Sequence, residues 1–341
     1  MARALTRRRI NVALQGGGAH GAFTWGALDR LLEDDRIEIA GISGTSAGAL
    51  NGAAVKSGLA KGGPDRARAL LEAVWTRIGA ITDERWAPWL DAVSPSAVSY
   101  ATEMSPLYQL ADTWSRSVSP YVGPHLTQDA LRDIVDDLDF ATICGPDGPE
   151  FHICATNVRT GKIKVFTRGA ITVDAILASA CLPTLFPAVE IDGEAYWDGG
   201  YTGNPALFPL FDAALPRDIL IVNINPLKRP EVPVTARDIQ NRINEISFNT
   251  SLLREMRAIE FVQRLVRAGK IPPGAMKDVI VHMVSDDRMM RQLSVATKVV
   301  ANPVVIHQLR AAGHAAADAF LAASFGAIGE RSTIDLAEMF A

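Results

Sequence analysis

INVALQGGGAHGAFTWGALDRLL (residues 10–32) and IEIAGISGTSAGALNGAAV (residues 37–55) carry one pattern twice. A short apolar run at 10–15 stops at Gly16-Gly17-Gly18, and Ala22, Trp25, Leu28, Leu31 and Leu32 then recur at helical spacing. A second apolar run at 37–42 ends in Ser43-Gly44-Thr45-Ser46-Ala47-Gly48, followed by an alanine-rich helical stretch at 49–55. Strand, glycine turn and helix, repeated, predict an α/β domain built on a mainly parallel sheet.

With 341 residues, 48% apolar and 21% charged, the chain can bury a substantial core. A net charge of −4 argues against a general electrostatic grip on nucleic acid. Cys144, Cys154 and Cys181 show no C-x-x-C spacing, so a zinc site and a disulfide framework are poor readings and a reducing cytosol fits. No run reaches the roughly 18 uninterrupted apolar residues of a membrane span, so any membrane contact is expected at the surface.

Between about 58 and 127 the character changes. A Gly62-Gly63-Pro64 break and a short helix at 67–78 are followed by Trp86, Trp89, Tyr100, Tyr108, Trp114 and Tyr121 among serines and prolines. This segment reads as an insertion, its aromatics filling a small local core or forming an apolar lid over a substrate mouth. Strands are expected at 150–156, 162–167, 188–191, 194–197 and 219–225, with a helix at 171–180. After Pro226 the chain is expected to be helical. Ile239, Ile243, Ile246, Leu253, Met256, Ile259 and Leu265 form one apolar face there, among arginines that are either solvated or attracted to anionic lipid.

Gly44-Thr45-Ser46-Ala47-Gly48 is a G-x-S-x-G turn between a strand and a helix. A nucleophilic serine must stand clear of the sheet on a sharp turn, and small neighbours let the helix start close to the strand. Gly16-Gly17-Gly18-Ala19-His20-Gly21 satisfies G-x-G-x-x-G and has two readings. One is a dinucleotide loop with Glu38 as the ribose acid. The other is a row of main-chain N–H groups preset for an oxyanion. The serine turn favours the second, since acyl transfer needs both a nucleophile and an oxyanion cradle. For a base, His20, His125, His152, His282, His307 and His314 offer no obvious corner with a carboxylate partner, with His282 or His307 the candidates for a triad. Asp198, directly before Gly199-Gly200 at a strand end, is placed for partial desolvation and direct proton transfer from serine.

GGGAHG at 16–21, GTSAG at 44–48 and DGG at 198–200, with ASACLPTLFPAVEIDGEAYWDGGYTGNP leading through the last (178–205), resemble the patatin-like phospholipase family over about residues 10–210. The resemblance implies a three-layer α/β/α fold and a Ser46–Asp198 dyad without histidine. It also implies an oxyanion hole at Gly16, Gly17 and Gly18, with the Ala47 amide able to assist. The implied activity is hydrolysis of acyl esters of lipids through an acyl-enzyme. One departure is His20, which stands where many members carry Arg or Lys.

The expected organisation is a catalytic domain over 10–211, with 58–127 as a cap, and a final strand with a mostly helical region over 212–341. The substrate is expected to be a lipid or other acyl ester, without metal or organic cofactor. The location is expected to be cytoplasmic, with peripheral contact at the inner face of the membrane. The competing readings are a Ser-His-Asp esterase, a nucleotide-binding oxidoreductase, and a lipid-binding protein without activity.

Overall fold

The computed structural model describes residues 7–81, 93–122, 126–272 and 274–340, so Trp86, Trp89 and His125 lie outside the described residues. The two sequence units fold as β1 (Arg8–Leu14), α1 (Gly21–Leu32), β2 (Ile37–Thr45) and α2 (Ala47–Ala80). Helices α3 (Pro95–Met104), α4 (Pro106–Ser117), α5 (Leu126–Asp136) and α6 (Phe140–Ile143) follow. Next come β3 (Glu150–Asn157), β4 (Ile163–Thr167), α7 (Val173–Ser179), β5 (Val189–Ile191), β6 (Glu194–Asp198) and β7 (Asp218–Asn223). The chain closes with α8 (Ala236–Arg267), β8 (Ile280–Ser285), α9 (Asp287–Met290), α10 (Val295–Val299), α11 (Pro303–Ser324) and α12 (Leu336–Met339).

The strands make one sheet in the order β5-β6-β3-β2-β1-β7-β8, with β4 also paired to β3. The run from β3 to β8 is parallel, while β4, β5 and β6 join antiparallel. Parallel strands buried on both sides read as continuous apolar runs. On β7, Leu220 and Val222 face one core cluster and Ile219 and Ile221 the other. The first cluster lies under α1, α2 and α11, the second under α8 and α12, which makes three layers. Helices α1 and α11 approach closely because Gly26 and Gly313 leave no side chain between their backbones.

Three sequence expectations change. The expected break is present, since Gly63 at φ 76° and ψ −162° kinks α2 into two helical pieces beside Pro64, with 67–78 in the second. Ala67, Leu71, Trp75 and Ile78 there are nevertheless buried in the main core, so this part of the expected insertion is a structural layer. The 280–285 stretch is a strand, because a short apolar run cannot be told from buried helix by periodicity. On α8 the buried face is Phe248, Asn249, Leu252, Met256 and Ile259. Ile239, Ile243 and Ile246 instead point outward, at 42%, 54% and 52% exposure. Among the described residues no helix is long and apolar enough to cross a membrane.

Candidate active site

The parallel topology brings the C-terminal ends of β1 and β2 side by side, with Leu14 paired to Gly44. Ser46 follows β2 with φ 55° and ψ −124°, a left-handed conformation that costs on the order of 1–3 kcal/mol for a non-glycine residue. Its surroundings hold it there. The Ser46 N–H donates to Ser179 Oγ at 2.8 Å, and the Ser179 hydroxyl donates to the Cys154 carbonyl at 2.6 Å. Helix α2 starts at Ala47, whose amide therefore has no acceptor within its own helix. A side chain on Gly48 would collide with the Leu14 carbonyl, so only glycine lets α2 begin this close to β1.

Gly16 follows β1, packed so tightly on the elbow that an added Cβ would lie 2.8 Å from Ser46 Cβ. Its N–H donates to Asn204 Oδ1 at 2.7 Å, and its carbonyl accepts from Asn225 Nδ2 at 3.1 Å. Gly16 is thus an anchored residue and its N–H is committed, which removes it from the expected set of oxyanion donors. Gly17 and Gly18 remain, leading into a 3-10 turn at Gly18–His20 and then into α1. Amides at such a start have no intrahelical acceptor and favour negative charge. Gly18 has φ 57°, and a side chain there would strike the Lys298 carbonyl. His20 is buried with Nε2 2.9 Å from Thr297 Oγ1. Burial first, and the Lys298 charge second, hold its pKa well below the usual 6.5, so the imidazole is neutral at pH 7.

Asp198 ends β6 opposite Ala155 of β3, while Cys154 of β3 pairs with Thr45 of β2. One intervening strand thereby sets the carboxyl beside the elbow. Asp198 is 1% exposed. Its N–H donates to the Cys181 carbonyl at 2.8 Å, and its Oδ1 accepts the Gly200 N–H at 2.6 Å. Burial pushes its pKa up to about 7, against the Gly200 amide and a hydrogen-bonding interaction with the Ser46 side chain, both of which favour the charged form.

The remaining candidates are dispersed. His282 lies on β8, three strands from β2, or about 14 Å at the usual strand spacing. Its Nε2 is 2.9 Å from Asp218 Oδ1 and its Nδ1 3.2 Å from Thr333 Oγ1, and Asp218 also accepts the Gly329 N–H. This pair clamps the C-terminal tail to the sheet. His307, on α11, lines a separate hollow with Trp25, Trp75 and Ile306. Glu38 pairs with Arg9 at the start of β2, roughly 20 Å of strand away from the glycine turns. A ribose acid belongs at the other end.

Sequence reasoning did not find Ser179, Asn204 or Asn225, which hold Ser46 and Gly16 in place. It also missed Gln15, whose side chain donates to Asn249 Oδ1 at 2.9 Å and accepts the Ile224 and Asn225 amides at 2.8 and 2.9 Å. Amide and hydroxyl side chains carry no spacing signature.

Comparison with solved structures finds distant likenesses. VipD from Legionella pneumophila is 14% identical over 89% of this chain and 67% of that one, at a TM-score of 0.36. A chain of the full-length SpcU–ExoU complex of the Pseudomonas aeruginosa type III secretion system is 14% identical over 89% of this chain and 53% of that one, at 0.31. A chain of the heterodimeric ExoU–SpcU complex of the same organism is 18% identical over 98% and 65%, at 0.30. The present chain thus spans between about half and two thirds of those chains. No curated protein matches the sequence. The family model described as patatin-like phospholipase matches residues 12–213, more than half of the chain, and includes all three glycine turns. The chain therefore belongs to the patatin-like phospholipase family, whose members are lipid acyl hydrolases.

Proposed function

We propose that this protein is a serine hydrolase of lipid acyl esters working through a Ser46–Asp198 dyad. The observation that carries the reading is the Asp198 carboxyl, buried, raised to about 7 and in hydrogen-bonding interaction with the side chain of a serine on a strained elbow. A carboxylate of that basicity is matched to proton transfer near neutral pH. Asp198 takes the Ser46 proton as Oγ attacks the ester carbonyl, and the Gly17 and Gly18 amides, with Ala47, stabilise the oxyanion. The proton passes to the departing alcohol as the C–O bond breaks. Asp198 then deprotonates a water that releases the acid from the acyl-enzyme.

In this reading residues 10–211 form the catalytic unit, capped by the later part of 58–127, with 212–341 packed on it. Contact with the membrane is peripheral, at the inner face in the cytoplasm. Two exposed apolar rows support it: Leu107, Leu110 and Trp114 on α4, at 77%, 67% and 61% exposure, and Ile239, Ile243 and Ile246 on α8. Co-sedimentation with anionic vesicles tests this part, and protein left wholly in the supernatant at low salt contradicts it.

Labelling with a fluorophosphonate tests the chemistry, followed by phospholipid, lysophospholipid, glyceride and short-chain esters. One adduct on Ser46, absent in Ser46→Ala, is expected. An adduct elsewhere, or hydrolysis undiminished by Ser46→Ala, overturns the reading.

A further inference from the structure

The glycine loop carries a neutral imidazole at His20, yet a cation reaches the loop from the far end of the chain. Lys298, on α10, lies outside the residues matched to the family. Its Nζ donates to Asn225 Oδ1 at 2.6 Å and to Asn244 Oδ1 at 2.8 Å, and it sits 5.5 Å from the Phe248 ring centre. Asn225 uses its other amide atom, Nδ2, to donate to the Gly16 carbonyl. The Lys298 main-chain carbonyl is packed on Gly18, and Phe248 is packed on Gly200. One lysine therefore touches both sides of the site through a single intermediate each.

The charges around it are arranged to leave this cation on the loop. Glu245 is held by Arg229 at 2.5 Å and by Arg242 at 3.1 Å, so it is shared between two guanidinium groups. The Lys298 ammonium donates to two amide oxygens, those of Asn225 and Asn244. His20, from the glycine loop, faces it without charge of its own at pH 7.

Building on the hydrolase reading, we propose that Lys298 is a positioning residue for the reaction, its ammonium locking the Asn225 amide onto Gly16 and setting a positive charge behind Gly17 and Gly18 where the oxyanion forms. A charged donor on the amide oxygen polarises the amide and strengthens the bond its N–H makes to Gly16. A fixed charge behind the cradle stabilises the tetrahedral intermediate more than the neutral ester, so it acts on kcat rather than on KM. Loss of surrounding water pushes the Lys298 pKa down to about 8, with Glu245 raising it and Arg229 lowering it. The ammonium, and its effect, should then fade as pH rises past 8.

The test is the pH profile of p-nitrophenyl butyrate hydrolysis by the full chain, its Lys298→Gln and Lys298→Arg variants, and Ser46→Ala. Lys298→Gln should lose about tenfold or more in kcat at pH 7 with KM within about twofold, and should show no further fall above pH 8. Lys298→Arg should recover much of kcat and hold it to about pH 9.5, because guanidinium stays charged there. A folded Lys298→Gln with wild-type kcat overturns the inference. So does an unchanged alkaline fall in Lys298→Arg, which decides the matter if the glutamine variant misfolds. Ser46-dependent hydrolysis indifferent to Lys298 sinks only this inference. Hydrolysis that survives Ser46→Ala sinks the hydrolase reading and this inference together.

Discussion

The N–H of Gly16 donates to Oδ1 of Asn204 at 2.7 Å, tying the loop after β1 to a residue 188 positions away, just beyond the Asp198 turn. That bond, with the Asn204 Nδ2 donation to the Phe248 carbonyl at 3.1 Å, couples the two halves of the site. Replacing Asn204 by Ala leaves the buried Gly16 amide without its acceptor, at about 1–3 kcal/mol. We expect a lower melting temperature and a kcat reduced about ten- to a hundredfold with KM little changed, measured on a p-nitrophenyl ester.

In the proposed dyad, Asp198 sets the acid limb. Its pKa is raised to about 7, so the basic carboxylate is lost as pH falls through 7, and kcat/KM should drop about tenfold per unit below pH 6. The stability sign is opposite to that of a salt-bridged carboxylate. Between about pH 4 and 7 the native state holds a proton that the unfolded chain has released, so stability falls as pH rises through this window. Asp198→Asn should therefore abolish hydrolysis and melt higher than wild type at pH 8, the difference shrinking towards pH 4. Calorimetry across that range checks it.

The serine and glycine turns were legible because each is local. Gly16 to Gly21 and Gly44 to Gly48 sit at the junction of an apolar run and a helical period, so each turn is written within a few residues. What holds those turns was not legible. Ser179 reaches Ser46 across 133 positions and Asn225 reaches Gly16 across 209, and a lone serine or asparagine announces neither contact. The apolar period on α8 likewise showed an amphipathic helix but not its orientation. The buried face turned out to be set by Phe248, Leu252 and Met256, leaving Ile239 and Ile243 outside.

Ser179 should matter out of proportion to its size. Its hydroxyl both accepts the Ser46 N–H and donates to Cys154, holding the positive φ of the elbow. Ser179→Ala should lower kcat about tenfold, while fluorophosphonate labelling slows by a similar factor but remains on Ser46. Labelling at the wild-type rate would show that the elbow holds without it.

The His282–Asp218 pair separates structure from chemistry. It pins the C-terminal tail through Gly329 and Thr333, far from Ser46 along the sheet. His282→Gln should melt several degrees lower, for a loss of about 1–3 kcal/mol, with kcat/KM within about threefold of wild type. A collapse in kcat without loss of stability would instead mark a histidine-dependent mechanism.

The most direct test of the account is a double-mutant cycle on kcat with Ser46→Ala, Asp198→Asn and both together. Two residues acting as one unit give strongly non-additive losses, so the double variant should be no slower than the worse single variant. Losses that simply multiply, or an Asp198→Asn enzyme that turns over like wild type, would contradict it.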